Sequence, residues 1–305
     1  MSDFTLRQLE LFCALEHHST LSAAATALHI SESALSSALS ELERSIGAQL
    51  CVRRRARGIQ LTPTGKHFAN RARGILLAAG ELAHELAGMD GTLHGPVTLG
   101  CHTSLAPHLL PTILEAFATD HPGVLIDVAV GTHDDLFGAL RSGSLDLALV
   151  YNIDLPEDFS LTQLYETEVM AVLPADHRLS DRPAVDLADL VNEPLIMLDT
   201  TPSARNTLRT IAARGLKPRL GAAMPQIELV RALVSRGLGY SLLMSRPNTT
   251  DQTIDGRKVV TLPLEPRDGV THVMAIWPEQ IQLTARVKAL VEYSAGAFQI
   301  SAPST

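Results

Sequence analysis

Apolar residues run through this chain in two rhythms, and the change between them divides it. Up to about residue 90 they step by three and four. Thr5-Leu6-Arg7-Gln8 has the spacing of a capping box, and Leu6, Leu9, Phe12 and Cys13 follow at helical intervals, so a first helix starts there. After a polar break at 17–20, Ser22-Ala23-Ala24-Ala25-Thr26-Ala27-Leu28 predicts a short helix whose alanines admit a close neighbour, and His29-Ile30 a tight connection. Ser31 is a good N-cap for a third helix, in which Leu35, Leu39, Leu42 and Ile46 form the apolar face while Ser33, Ser36, Ser37 and Ser40 gather on the other. Thr62 with Pro63 opens a fourth helix. In it Phe68, Ala72, Ile75, Ala79, Leu82, Leu86 and Met89 alternate steps of four and three, the seam of a helix that pairs with a copy of itself.

Beyond residue 93 short apolar runs bounded by turn residues take over. Strands are predicted at 96–100, 124–130, 145–151, 169–173, 195–198, 239–244 and 270–277, and helices at 105–118, 134–141, 204–214 and 227–236. Such alternation predicts α/β architecture with mostly parallel sheets, arranged as two lobes with a return strand and a cleft between them.

Charge sharpens the division. The chain of 305 residues carries a net charge of -8, which on its own argues against a polyanionic partner. Residues 1–91 are nonetheless neutral, with nine basic and nine acidic side chains, and from Arg44 to Gly80 there are eight basic residues and no Asp or Glu. An apolar content of 46% excludes disorder as the main state, and no apolar run is long enough for a membrane span. The N-terminus shows no secretory signal pattern, and Cys13, Cys51 and Cys101 are scattered and odd in number. A cytoplasmic protein with no disulfide framework and no membrane partner is expected.

Two short helices with a tight turn, the second presenting small hydroxyls from its N-terminal end, make a helix-turn-helix suited to a DNA major groove. The segment from Cys51 to Leu61 then places Arg53, Arg54, Arg55 and Arg57 in a turn between two β-prone stretches, a wing that suits the phosphate backbone. Ser31, Ser33, Ser36, Ser37, Ser40, Arg53, Arg54 and Arg55 are the candidate DNA contacts. The domains expected are a winged helix-turn-helix at 1–62, a coiled-coil linker helix at 63–92, and an effector-binding domain at 93–305. Its lobe I spans about 93–165 and 270–305, and its lobe II about 166–269. Two readers on one coiled coil would meet a two-fold symmetric double-stranded DNA site.

In the α/β part, ligands sit beyond the carboxyl ends of strands, where helix N-termini aim free amides outward. Those ends read His102-Thr103-Ser104, Gly131-Thr132-His133 and Thr200-Thr201-Pro202-Ser203. Hydroxyls beside helix starts favour a small anion, and a carboxylate effector is expected. Tyr151 and His133 are candidates for ligand choice, although a packed Tyr and a solvated His are the commoner case.

Leu6-Arg7-Gln8-Leu9, Ser22-Ala23-Ala24-Ala25, Ser31 to Glu43 and Leu61-Thr62-Pro63-Thr64-Gly65 resemble the DNA-binding region of LysR-type transcriptional regulators. The resemblance continues through Leu110-Pro111, Phe117, His121-Pro122, Gly143-Ser144-Leu145-Asp146-Leu147 and Gly237-Leu238-Gly239-Tyr240, which are similar to the family's effector-binding domain. It implies that Ser31, Ser33, Ser36 and Ser37 approach DNA, that Arg53 and Arg54 lie near phosphates, and that Thr103, Ser104, Thr132, Tyr151, Thr201 and Ser203 contact an inducer. It further implies a homodimer or homotetramer and RNA polymerase as a partner. Glu32 and Ser37 depart from the family's usual Gln and basic residue, which points to a different operator preference.

Enzyme motifs are missing from the sequence. There is no phosphate-binding loop and no G-x-G-x-x-G, and Gly237-Leu238-Gly239-Tyr240-Ser241 lacks the Ser between glycines that a nucleophile elbow needs. His17, His18, His102 and Cys101 lack second ligands at metal spacing, so neither metal nor cofactor is expected. The alternative reading is a solute-binding or catalytic α/β protein whose N-terminal helices serve only assembly.

Overall fold

The computed structural model describes residues 4–15, 18, 20–54, 58–87, 92–246, 250–267 and 270–298, with backbone alone for 53, 54, 58, 70, 77, 78 and 81–87. Two compact units result: Met1–Thr92 with Arg141–Ser144, and Leu93–Leu140 with Leu145–Thr305.

In the first unit, α1 (Leu6–Ala14) opens on the expected capping box: the Gln8 amide donates to Thr5 Oγ1 at 3.2 Å and the Thr5 amide to Gln8 Oε1 at 2.9 Å. Helix α2 (Leu21–Ala27) is capped by Thr20, and its buried Ala24 and Ala25 leave room for α3 (Glu32–Ile46). Between them His29 takes the left-handed conformation at φ +54°, and the Ile30 amide returns to the Ala25 carbonyl at 3.0 Å. Leu35, Leu39 and Leu42 of α3 are buried with Leu9 and Phe12 in one core.

Strands β1 (Cys51–Arg54) and β2 (Gly58–Leu61) pair antiparallel, Cys51 opposite Leu61 and Arg54 opposite Gly58. Glu43 joins α3 to this hairpin, since its Oε1 accepts from the amides of Leu50 at 2.7 Å and Cys51 at 3.0 Å. Helix α4 (Pro63–Ala87) starts on Thr62, whose Oγ1 accepts from the Gly65 amide at 2.9 Å. Phe68 meets Phe4 and Phe12 edge-on, and Ala72 is buried. These two seam positions are therefore occupied by the unit's own core, whereas Ile75 is 46% exposed. The side chains of Leu82 and Leu86, and all of Met89, lie outside the described residues.

The second unit begins with β3 (Gly95–His102), α5 (Ala106–Asp120), β4 (Val124–Gly131), α6 (His133–Arg141), β5 (Leu147–Tyr151) and β6 (Phe159–Thr167). It continues with β7 (Val169–Pro174), α7 (Leu187–Leu190), β8 (Pro194–Leu198), α8 (Ser203–Ala213), β9 (Arg219–Met224) and α9 (Ile227–Val234). Strands β10 (Ser241–Met244), β11 (Val259–Pro263) and β12 (Thr271–Pro278), with helix α10 (Ala285–Phe298), complete it.

The first lobe is a sheet of order β4-β3-β5-β12-β6. Every residue of β5 is buried, as a strand covered on both faces should be. Leu147, Leu149 and Tyr151 pack with α5 and α10, while Ala148 and Val150 pack with Leu136 and Leu140 of α6. The second lobe holds β10-β7-β11 and β8-β9, the two groups joined where the Ile196 amide donates to the Tyr240 carbonyl at 2.8 Å.

The sheets are mixed. Among the described strands, parallel pairing joins β4, β3 and β5, and β8 with β9, while β12 returns antiparallel between β5 and β6 and β7 pairs antiparallel with both β10 and β11. The reason is connectivity: the chain enters the second lobe at Glu168 and comes back through β12, so a strand laid beside its predecessors must run the opposite way. At the first crossing, Thr167 Oγ1 donates to the carbonyl of Ser245, just past β10, at 2.7 Å, and the Ser245 amide donates to the Glu168 carbonyl at 2.8 Å.

Candidate functional sites: a hydroxyl-faced helix and an interlobe cleft

At the start of α3, Ser31 Oγ accepts from the Ala34 amide at 3.1 Å and lies 3.0 Å from Ser33 Oγ. Ser31, Ser33, Ser37 and Ser40 are exposed and Ser36 is half-buried, so the leucines that hold the helix down leave its hydroxyl face outward. Ser40 Oγ donates back to the Ser36 carbonyl at 2.9 Å, which takes its proton from any outside acceptor in this conformation. The backbone of Arg53 and Arg54 lies in β1, beside the end of α3 that Glu43 ties to the hairpin. Their side chains and all of Arg55 lie outside the described residues.

The second site lies between the lobes of the α/β unit. His102 closes β3, Ser104 follows it, Tyr151 closes β5 and His133 begins α6, and all four are buried. The structure brings them together. His102 Nδ1 is 3.0 Å from Ser104 Oγ, Ser104 Oγ is 3.1 Å from the Tyr151 hydroxyl, and His102 Nε2 reaches across to the Thr201 carbonyl at 3.2 Å. The His102 ring stands edge-on to those of His133 and Tyr151, with centroids 5.2 and 5.4 Å away.

Burial sets the charge state of this cluster. It lowers the pKa of His102, against a smaller opposing effect of the Thr201 carbonyl. It lowers that of His133 to about 3, with His102 pushing the same way and Asp154 opposing. Burial raises the Tyr151 hydroxyl. Two neutral imidazoles and a protonated phenol result, and His133 Nε2 has no hydrogen-bond partner among the described residues.

Ser104 and Tyr151 border a small inner cavity of about 20 Å³, room for about one water molecule. Ser203, Asn206 and Thr207 of α8 line it too, with Ile153, Leu198 and Ile227 among its apolar walls. Ile153, Val169, Asn206 and Met244 also line an outer hollow of about 330 Å³, which Asp154, Arg209 and Thr210 border. Asp154, left-handed at φ +53°, turns its carboxylate onto α8. It accepts from Arg205 Nη1 at 3.0 Å and from Arg209 Nη2 at 2.9 Å, and these bonds hold its pKa below the usual carboxylate range.

Of the remaining expected positions, Thr103 and Thr132 use their hydroxyls in local hydrogen bonds. Thr103 Oγ1 donates to the Gly131 carbonyl at 3.1 Å, and Thr132 caps α6 by exchanging hydrogen bonds with Asp135, including one of 2.6 Å from its hydroxyl. Thr201 contributes its carbonyl. Asn206, Thr207, Arg209 and Asp154 were not expected. A signal for Asn206 and Thr207 exists in the sequence, because Ser203, Asn206, Thr207 and Thr210 recur at helical spacing as a polar stripe on α8.

Cys101 is buried and its thiol is pushed far up by desolvation, the opposite of what a reactive thiolate needs. Among the described residues no group of three His, Cys, Asp or Glu is placed to hold a metal ion, and no helix is long and apolar enough to cross a membrane.

Comparison with known proteins gives two family matches: residues 6–66 match the bacterial regulatory helix-turn-helix protein of the lysR family, and residues 90–299 match the LysR substrate binding domain. The transcriptional dual regulator GltC of Bacillus subtilis is 29% identical over 292 residues, 94% of this chain and 95% of its own length. A probable hydrogen peroxide-inducible genes activator of Mycobacterium avium is 32% identical over 245 residues, 78% and 77% of the two chains. The crystal structure of HinK, a LysR family transcriptional regulator from Pseudomonas aeruginosa, superposes with a TM-score of 0.64 at 32% identity, covering 98% of this chain and all of that one. With both parts matched in order and one match alone spanning more than half its length, the chain belongs to the LysR family: it is a DNA-binding transcriptional regulator with an effector-binding domain.

Proposed function

We propose that this regulator grips its operator through Ser31, Ser33, Ser36, Ser37 and Ser40 in the major groove and Arg53, Arg54 and Arg55 on the phosphates. On this reading residues 1–62 read DNA, 63–92 pair two copies into a dimer or a tetramer of dimers, and 93–305 sense a ligand and pass the outcome to RNA polymerase in the cytoplasm. The observation that carries it is the outward hydroxyl face of α3, held by buried Leu35, Leu39 and Leu42. Binding to an operator fragment should weaken linearly in log salt, and Arg53→Ala with Arg54→Ala should flatten that slope by about two ions. A slope unchanged by the double substitution removes these arginines from the phosphate contacts.

The effector proposed is an organic carboxylate in the cleft. Its support is the Arg209 guanidinium on the outer hollow, contiguous with an inner pocket lined by Ser104, Tyr151, Ser203, Asn206 and Thr207. The name of the M. avium relative suggests peroxide as a second reading. Cys101 is the only cysteine from 93 to 305, and its buried, strongly protonated thiol disfavours thiol chemistry with peroxide. To act, a ligand must bind one arrangement of the regulator better than another. Melting temperatures measured with a carboxylate panel and with hydrogen peroxide separate the two. A carboxylate upshift that Arg209→Ala abolishes supports the reading, and a response to peroxide alone overturns it.

A further inference from the structure

His102 spans the two lobes with a hydrogen bond whose direction its partner dictates. A carbonyl only accepts, so the contact with Thr201 requires the ring proton on Nε2. A neutral ring then has a bare Nδ1, and the groups beside it are Ser104 Oγ at 3.0 Å and the Ser104 amide at 3.4 Å. The Ser104 hydroxyl proton must therefore point at the ring. That leaves the Ser104 oxygen to accept, and its neighbour is the Tyr151 hydroxyl at 3.1 Å. Every proton runs one way, from Tyr151 through Ser104 and His102 to the far lobe. Tyr151 keeps only oxygen lone pairs to offer the inner pocket, whose walls are mainly apolar and carry no charged side chain among the described residues.

We propose that the Tyr151, Ser104 and His102 chain makes the floor of the inner pocket a hydrogen-bond acceptor, selecting an effector that presents a neutral donor, a hydroxyl or amide, on an apolar frame. The inference rests on the cleft being the effector site, and it places the ligand's carboxylate in the outer hollow beside Arg209. A carboxylate thrust to the floor would have to pull the Tyr151 proton off Ser104 and leave a buried oxygen unpaired. A donor leaves the chain intact.

The full-length protein tests this in two measurements. Long-range ¹H–¹⁵N correlation at neutral pH should report His102 as the Nε2–H tautomer with a bare Nδ1, and an Nδ1–H tautomer or a charged ring overturns the chain. Phenol and anisole are the ligand probes: the outer hollow of about 330 Å³ takes the ring, and only phenol extends a donor hydroxyl into the water-sized inner pocket. Methyl shifts of Ile153 and Ile227 should give phenol about tenfold tighter binding than anisole, the size of one neutral hydrogen bond. In Tyr151→Phe that preference should vanish, and Ser104→Ala, which unbinds the Tyr151 proton, gives a second variant with the same expectation. Equal binding, a preference that survives both substitutions, or no response of these methyls to either probe overturns the proposal. An effector whose shifts map outside both pockets sinks the cleft reading while leaving the tautomer result standing. An Nδ1–H tautomer beside a cleft-bound effector sinks this inference alone.

Discussion

Single residues in this chain are fixed by contacts that leave no choice of side chain, and Gly65 is the plainest. A Cβ built there would lie 1.9 Å from the Leu50 carbonyl oxygen, a backbone atom already accepting from the Thr62 amide at 2.9 Å. Gly65→Ala must therefore move the junction of wing and fourth helix, at a cost of about 1–3 kcal/mol in chemical denaturation. Gly74, in the same helix with nothing within 4 Å, predicts the opposite sign: Gly74→Ala should stabilise by about 0.5–1 kcal/mol. Equal effects at both positions would refute the steric account. His133 gives a residue-scale pH dependence. Its folded pKa of about 3 lies below the unfolded 6.5, so between those values the unfolded chain takes up a proton that the folded one refuses. Stability is unaffected above 6.5 and falls as pH drops through the window, by up to about 1.4 kcal/mol per pH unit. His102, shifted the same way, adds to this slope. Subtracting the curve of His133→Leu from that of the wild type isolates the residue, and parallel acid limbs would show that it does not titrate in that window.

Elements were legible where their signals are local. Caps at Thr5, Ser31 and Thr62 and the leucine spacing of α3 announce themselves within a few residues, and those helices start where expected. Strands β6, β9 and β11 and helices α7 and α10 were not anticipated. β9 carries Gly221, Ala222 and Ala223, poor strand formers on a largely exposed edge, and its pairing with β8 exists only through tertiary contact. The cleft was half legible for the same reason. His102, Ser104 and Tyr151 sit at strand ends, where topology alone places a ligand, whereas Arg209 lies inside α8 and acquires meaning only when Asp154 comes up against it. The fourth helix shows the limit of a periodic seam, because a repeat says which positions share a face and not what covers it. Phe68 and Ala72 are covered by α1, while Ile75 is open. If Ile75 begins the intermolecular seam, Ile75→Asp should raise the dimer dissociation constant by about tenfold or more in sedimentation while leaving thermal unfolding of the monomer nearly unchanged. An unaltered dimer would assign self-association to another surface.

At the scale of the whole molecule, a sensor needs two arrangements close in free energy, and the interlobe contacts are of the right size. Asp154 belongs to the loop after β5, and Arg205 and Arg209 to α8, so their ion pairs fasten one lobe to the other at the mouth of the cleft. All three side chains are partly exposed, and such pairs are worth about 0.2–1 kcal/mol each. That is negligible against folding, but 1.4 kcal/mol moves a two-state population about tenfold. A carboxylate that took Arg209 by the Nη2 that Asp154 now holds would compete with Asp154 for it, and binding would then loosen the fastening. Asp154→Ala removes the competitor and the fastening together. It should tighten carboxylate binding by about two- to fivefold in calorimetry and shift the ligand-free output of a reporter toward the ligand-bound level, with little change in melting temperature. Tighter binding with unchanged basal output would mean that Asp154 only competes for the arginine and that the lobes are set elsewhere. Weaker binding would mean that the carboxylate helps to build the site, and the fastening would have to be abandoned.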